Sequence, residues 1–316
     1  MAWGPVTNTA QKDTFAQHVS ALGHQQNLVR GALSRFRSRG FKNAPTDATR
    51  VLRVALTTSM LKARAELPES DFERFLDWIV DVVNTTTPEL RSQPIRYDFL
   101  SGFASKCPRT SLERELLWIA HRIAREASAI NAFVSGVSAV QQHCLEGRYD
   151  GALAALSDIT DAFGQSYWAV QLRVALEHAV GGLEQQKRFT DEVRNQFRRG
   201  LLSYITYYSS VRNEDRTTLP RFVEMIEQRI AKTKYDVDVR RYLRYRLFCA
   251  WPSSATGIAD VLRLEQNHSI IDVYETFIGA LQHILTRPEF AEFRPQILRV
   301  AALLAPIADF RVSKLR

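Results

Sequence analysis

The sequence predicts an all-α protein, and three observations predict it. Apolar residues recur at steps of three and four through most of the chain, the period that lines one face of a helix. No stretch alternates apolar and polar residues over the length of a strand, and no Asn-Gly or Asp-Gly pair joins two such stretches. Prolines fall at the edges of the periodic segments, as at Pro68, Pro220 and Pro288, where a helix starts or stops at least cost.

The elements follow in order. "TDATRVLRVALTTSMLKARAEL" starts at a capping residue, Thr46 or Asp47, and stops at Pro68; "SDFERFLDWIVDVV" follows, with Ser70 three residues before Glu73. Leu112, Leu116, Ile119, Ile123, Ala127, Ile130, Val134 and Val137 form one apolar stripe. The stripe predicts a helix from Ser111 to Leu145, capped through Thr110 and Glu113 and bent at Gly136. "SYWAVQLRVALEHAVGGLEQQ" and "TDEVRNQFRRGLLSYITYYSSV" are both amphipathic, the second with Val193, Phe197, Leu201, Tyr204, Ile205 and Tyr208 on one face. "LPRFVEMIEQRIA" carries Pro220 in its first turn, "SIIDVYETFIGALQHIL" ends before Pro288, and "FRPQILRVAALLAPIADF" closes the sequence.

The least helical stretch, 84–110, holds three prolines and many Ser and Thr, the composition of a boundary or a long loop. It divides an N-terminal helical region, 1–110, from a helical-hairpin domain, 111–316.

Composition narrows the function classes. Apolar residues at 45% and charged residues at 24% are globular values. No apolar run approaches the roughly 18 residues of a membrane span, and "MAWGPVTNTAQKD" lacks the basic and apolar regions of a secretory signal. Three distant cysteines, Cys107, Cys144 and Cys249, are neither a disulfide framework nor a metal set. The expectation is a cytoplasmic protein with no cofactor, no metal and no membrane partner. The net charge of +8 comes from 42 basic and 34 acidic residues and is uneven. Residues 111–195 carry net −3 between flanks of +5 and +6, which suits pairing within the chain or between subunits and leaves basic surfaces for an anion.

One turn carries a resemblance. In "CLEGRYDGALAAL", residues 144–156, Gly147 permits the chain reversal. Tyr149 would cover the turn, Ala152 is small where two helices would cross, and Leu153 and Leu156 would face between them. This pattern resembles the turn between the two helices of a tetratricopeptide repeat, with a faint echo at "QKRFTDEV" 40 residues on. The resemblance implies stacked hairpins, in a repeat-like array or an irregular α-solenoid or bundle, and a surface that binds another protein. An ordinary αα-hairpin would have the same local geometry.

Most catalytic signatures are absent: no phosphate-cradling glycine loop, no G-x-S-x-G elbow and no H-E-x-x-H. Glu265 and His268 form one Glu-x-x-His unit, of which a di-iron bundle needs two. Arg-x4-His occurs at Arg173–His178 and Arg263–His268. That spacing resembles the HEPN family of all-helical, often ribonucleolytic proteins. The resemblance implies that such a pair would manage the 2′-hydroxyl proton and the phosphate charge without a metal. An arginine-rich chain also produces this spacing by composition alone. "QNHS" reads as the end of a helix, which would leave His268 more accessible than His178.

The densest candidate surface is "VRRYLRYRLFCAW", residues 239–251. At 100° per residue, Val239, Tyr242, Leu243, Leu247 and Ala250 share a buried arc, with Arg246 inside it and so in need of a partner. Arg240, Arg241, Arg244, Tyr245, Phe248 and Trp251 share the other side. That side would bind single-stranded nucleic acid by stacking, or pack against an acidic helix, which residues 111–195 could supply. The sequence favours a non-enzymatic scaffold that binds another protein or its own subunit; the alternative is a nucleic-acid-binding helical protein.

Overall fold

The computed structural model describes residues 9–38, 45–86, 107–197 and 200–315. They form an all-α protein, with no β-strand among the described residues. The chain divides into two compact units, Met1–Ser92 and Gln93–Arg316. Most of the proline-rich stretch read as a boundary, residues 87–106, lies outside the described residues, as does the start of the chain.

In the first unit, α1 (Thr9–Ser38) packs on α2 (Pro45–Glu66) and α3 (Phe72–Thr86). A single 3-10 turn, Glu69–Asp71, separates α2 from α3 just after Pro68. Leu52, Leu56, Phe72, Phe75 and Ile79 are buried there, and the Arg30 guanidinium lies 5.4 Å from the Trp78 ring.

The second unit begins with α4 (Leu112–Arg125) and α5 (Ala127–Leu145). The single helix expected over Ser111–Leu145 is two, broken at Glu126 (φ −100, ψ 18). Gly136 lies inside unbroken α5 and is a contact point instead, because a Cβ there would meet Ile159 Cγ1 at 2.9 Å. The cap is Ser111, whose side chain accepts from the Arg114 N–H, while the Thr110 hydroxyl donates to Glu115. Cys107 belongs to this unit as well, its carbonyl accepting from Arg263 at 3.0 Å.

The turn after α5 reverses at Gly147 (φ 70) and leads into α6 (Tyr149–Phe163), which packs along α5. Ala152 and Leu156 are buried, Leu153 is half-buried, and Tyr149 is exposed. The tightest approach is one residue earlier than Ala152: a Cβ on Gly151 would meet the His143 ring at 2.7 Å.

The next helix, α7 (Tyr167–Gln196), packs on α6 and then on α8 (Leu201–Arg212). It bends at Gly181 and Gly182, the latter at φ 66. The amphipathic run 190–211 is not one helix. Its start completes α7, and Gly200 (φ 106) opens α8. The apolar face still holds, since Val193, Leu201, Ile205 and Tyr208 are buried, with Phe197 and Tyr204 packed against the same core.

Then come α9 (Leu219–Ala231), α10 (Val237–Phe248), α11 (Ala255–Glu265), α12 (Ile270–Thr286), α13 (Arg294–Leu303) and α14 (Phe310–Ser313), with a 3-10 segment at Pro288–Phe293. Helix α12 is central: it touches α4, α5, α7 and α11. Helix α4 also packs on α11 and α13, so the start of the unit closes on its end.

Candidate functional site

Helix α10 holds the densest run of arginines and aromatics, and its neighbours determine what each can do. The helix ends at Cys249, the one non-glycine residue with positive φ (56) among those described. Its buried face is Tyr242, Leu243, Arg246 and Leu247, spaced as one helical side.

The other arginines point away from that face, yet each has a partner inside the second unit. Arg240 donates to the Tyr235 and Thr233 carbonyls (2.8 and 3.3 Å), fastening the loop that follows α9. Arg241 donates to Asp260 on α11 at 2.9 Å. Arg244 grips both oxygens of Glu227 on α9, at 2.7 and 2.6 Å; that hydrogen-bonded fork lowers the Glu227 carboxyl and raises the guanidinium. The Tyr245 hydroxyl donates to Thr276 at 2.9 Å, and its ring meets Trp251 at 4.3 Å. Trp251 also stacks on His283 and lies against Gly279, where a Cβ would be 3.2 Å away. Phe248 packs against the core. The acidic partners of this outer side therefore come from α9 and α11, not from residues 111–195 as the charge distribution suggested. Net charge summed over a segment does not register single carboxylates within a basic one.

Behind α10 lies an enclosed ionic network. Arg246 meets Glu265 at 2.5 Å and Asp272 at 3.3 Å, and its Nε donates to the Tyr242 hydroxyl at 3.2 Å. The guanidinium lies 5.3 to 5.9 Å from the rings of Tyr167, Tyr245 and Tyr242, within cation–π range. His268 Nδ1 is 2.9 Å from Glu265 and 3.0 Å from the Tyr242 hydroxyl. Asp272 accepts the backbone N–H groups of Tyr167 and Trp168 at 2.8 and 2.9 Å. It thereby caps the N-terminus of α7, where Ser166 also accepts from Ala169.

Burial pushes the Glu265 carboxyl up, but Arg246 and His268 outweigh it and hold the group at about 2. Burial, with the Glu265 charge alongside, raises Asp272 despite Arg246. Burial and nearby carboxylates push Tyr167 and Tyr242 well above the ordinary phenol value. The two carboxylates that share one guanidinium are thus shifted in opposite directions, Glu265 down by its cationic neighbours and Asp272 up by burial.

The Arg-x4-His residues do not form pairs. The Arg263 guanidinium sits between Asp238 (2.5 Å) and Asp260 (3.2 Å), which Arg109 and Arg241 also engage. His268 belongs to the separate network around Arg246. Its side chain is 1% exposed, against 23% for His178, the reverse of the accessibility read from "QNHS". The helix end does lie there, but α10 and α7 cover it: Tyr242 and Tyr167 both meet the imidazole ring. Arg173 donates to Glu177 at 3.0 Å and lies over the Phe189 ring, while His178 Nε2 faces Asp215 at 3.2 Å. An RNA hydroxyl cannot reach His268 in this arrangement. The Glu265–His268 unit is an intrachain hydrogen bond, and no group of three or more metal-ligating side chains forms among the described residues. No helix among them is long and apolar enough to cross a membrane.

Sequence reasoning missed Asp260 and Asp272, the residues that fasten α10 and α7. Their only sequence signal is a carboxylate on an otherwise apolar helical stripe. The chain matches no family model, no curated protein and no solved structure.

Proposed function

We propose that the chain is a non-enzymatic, cytoplasmic helical scaffold that works by binding protein. One observation carries this reading: the arginines of α10, the best candidate for a nucleic-acid grip, are occupied by Glu227, Asp260, Glu265 and Asp272 of the same unit. The α5–α6 hairpin, with Gly147 at its turn and Ala152 buried at the crossing, supports a tetratricopeptide-like array as the framework. On α8 the ring of Tyr207 stays exposed, at 40%, beneath Arg194; tyrosine and arginine are the residues that anchor protein interfaces.

A nucleic-acid reading has its own support there, because Arg194 stacks on Tyr207 at 4.6 Å, a geometry that serves bases as well. Affinity capture with the purified chain, with and without nuclease, separates the two. Nuclease-resistant capture of a defined protein, lost in Tyr207→Ala, supports the scaffold. Retention of RNA or single-stranded DNA that weakens steeply with salt supports the alternative.

A further inference from the structure

Two outer faces of the second unit are opposite in charge. The first lies where α8 and α9 meet. Tyr207, 40% exposed, lies 5.0 Å from the buried Tyr208 ring, with half-buried Tyr204 behind it, and Arg194, which also meets Asp191 at 4.0 Å, covers Tyr207. Tyr235 and Arg229 flank the Tyr204 hydroxyl. Arg229, Lys232, Lys234 and Tyr235 are all exposed, so the cluster has a basic rim. The second face is the outside of α6. Asp150, Ala154, Asp158 and Asp161 are exposed at steps of four, four and three, one stripe along the helix, and α6 carries no basic residue. At its start, Leu145 is 85% exposed, the most exposed large apolar residue among those described.

Among the described residues, no carboxylate pairs with Arg229, Lys232 or Lys234, and no cation pairs with Asp150, Asp158 or Asp161. The Asp150, Asp158 and Asp161 carboxylates extend from a helix whose other side is committed to α5 and α7. Small residues between them leave a flat surface that large aromatic rings can approach. The exposed rings of Tyr207 and Tyr235, with Arg229, Lys232 and Lys234 nearby, supply the apolar contact and the opposite charge.

We infer that the α8–α9 face of one copy docks on the α6 face of a second copy, head to tail. This rests on the scaffold reading and names the partner as the chain itself. Because the two faces differ, each contact leaves one of each kind free, so association continues into a ring or a filament rather than stopping at a two-fold dimer.

The test is sedimentation of the full chain over a range of concentrations in low and high salt. Expected is a mass that rises with concentration in low salt and returns to the monomer near about 1 M, where charges more than roughly 3 Å apart are screened. The variants Lys232→Glu/Lys234→Glu and Asp158→Lys/Asp161→Lys alter only exposed side chains. Each alone loses association by at least about tenfold, since like faces now meet, a change of about 1.4 kcal/mol or more. Mixed together they associate again, because each then offers the charge the other lacks. A mixture that stays monomeric, or a wild type that is monomeric throughout, overturns the inference. If the monomeric wild type still captures a foreign protein after nuclease treatment, the scaffold reading survives it. If it instead retains RNA through Lys232 and Lys234, both fall.

Discussion

Arg246 and Glu265 meet at 2.5 Å with both side chains almost wholly withdrawn from solvent. The pair joins α10 to the end of α11, and through Asp272 the same guanidinium is tied to α12 and to the first turn of α7. Four helices thus converge on one buried cation. Such a pair offers little net stability over an apolar core of the same shape, but removing one member strands the other.

Arg246→Met should therefore cost about 3–5 kcal/mol in urea unfolding, through the Glu265 and Asp272 charges left behind. The double variant Arg246→Met/Glu265→Leu should recover part of that, because Asp272, already raised, can take a proton. A single variant within about 1 kcal/mol of wild type would mean that water reaches the network and solvates it.

The hairpin turn makes a packing prediction. Ala152 is fully buried, and the neighbouring Gly151 lies against His143. Ala152→Leu should overpack the crossing of α5 and α6 and cost about 1–3 kcal/mol. Thermal unfolding unchanged from wild type would show that the two helices separate there at little cost.

These two sites illustrate how far the sequence could be read. The buried arc of α10 follows from a 100° step, and that step also places Arg246 inside it, so the need for a partner was legible. The partner was not, because Glu265 and Asp272 lie 19 and 26 residues downstream on other helices, and no local pattern links them to α10. Gly136 failed for a related reason. A glycine in a long apolar stripe reads as a bend, but it can equally be a point of contact, and only Ile159 on the next helix decides that. His268 was misplaced because a helix end in sequence is a surface only if nothing packs over it.

The acid response follows from the same network. Glu265 sits at about 2 in the folded chain against an ordinary 4.5; Glu227, Asp238 and Asp309 are also lowered, each by arginine partners against the opposing effect of burial. A lowered carboxylate stabilises the fold above its ordinary value, and that stabilisation is lost as pH falls through the folded value. Asp272, raised, acts in the opposite sense. The four outnumber it, so stability should fall between about pH 4.5 and pH 2. Urea midpoints across that window check it, and Glu265→Gln should shrink the fall. A midpoint independent of pH there would contradict the ionic description of the core.

The final prediction concerns the arginines on the outer side of α10. Arg241 and Arg244 face Asp260 and Glu227 at 2.9 and 2.6 Å, and Arg240 holds the carbonyls after α9. The Arg244 pair is partly exposed and contributes little by itself. Asp260 differs, because it is nearly sealed and shared with Arg263; a glutamate at 241 would put a second carboxylate beside it in a poorly solvated place. The triple change Arg240→Glu, Arg241→Glu and Arg244→Glu reverses all three contacts at once. It should lower the melting temperature by several degrees or prevent folding, whether or not nucleic acid is present, since each degree of loss comes from contacts within the chain. Circular dichroism melts of the triple variant decide the matter. If it melts like the wild type and has lost only the ability to retain nucleic acid, the arginines of α10 are a binding surface and the contacts to Glu227 and Asp260 are incidental.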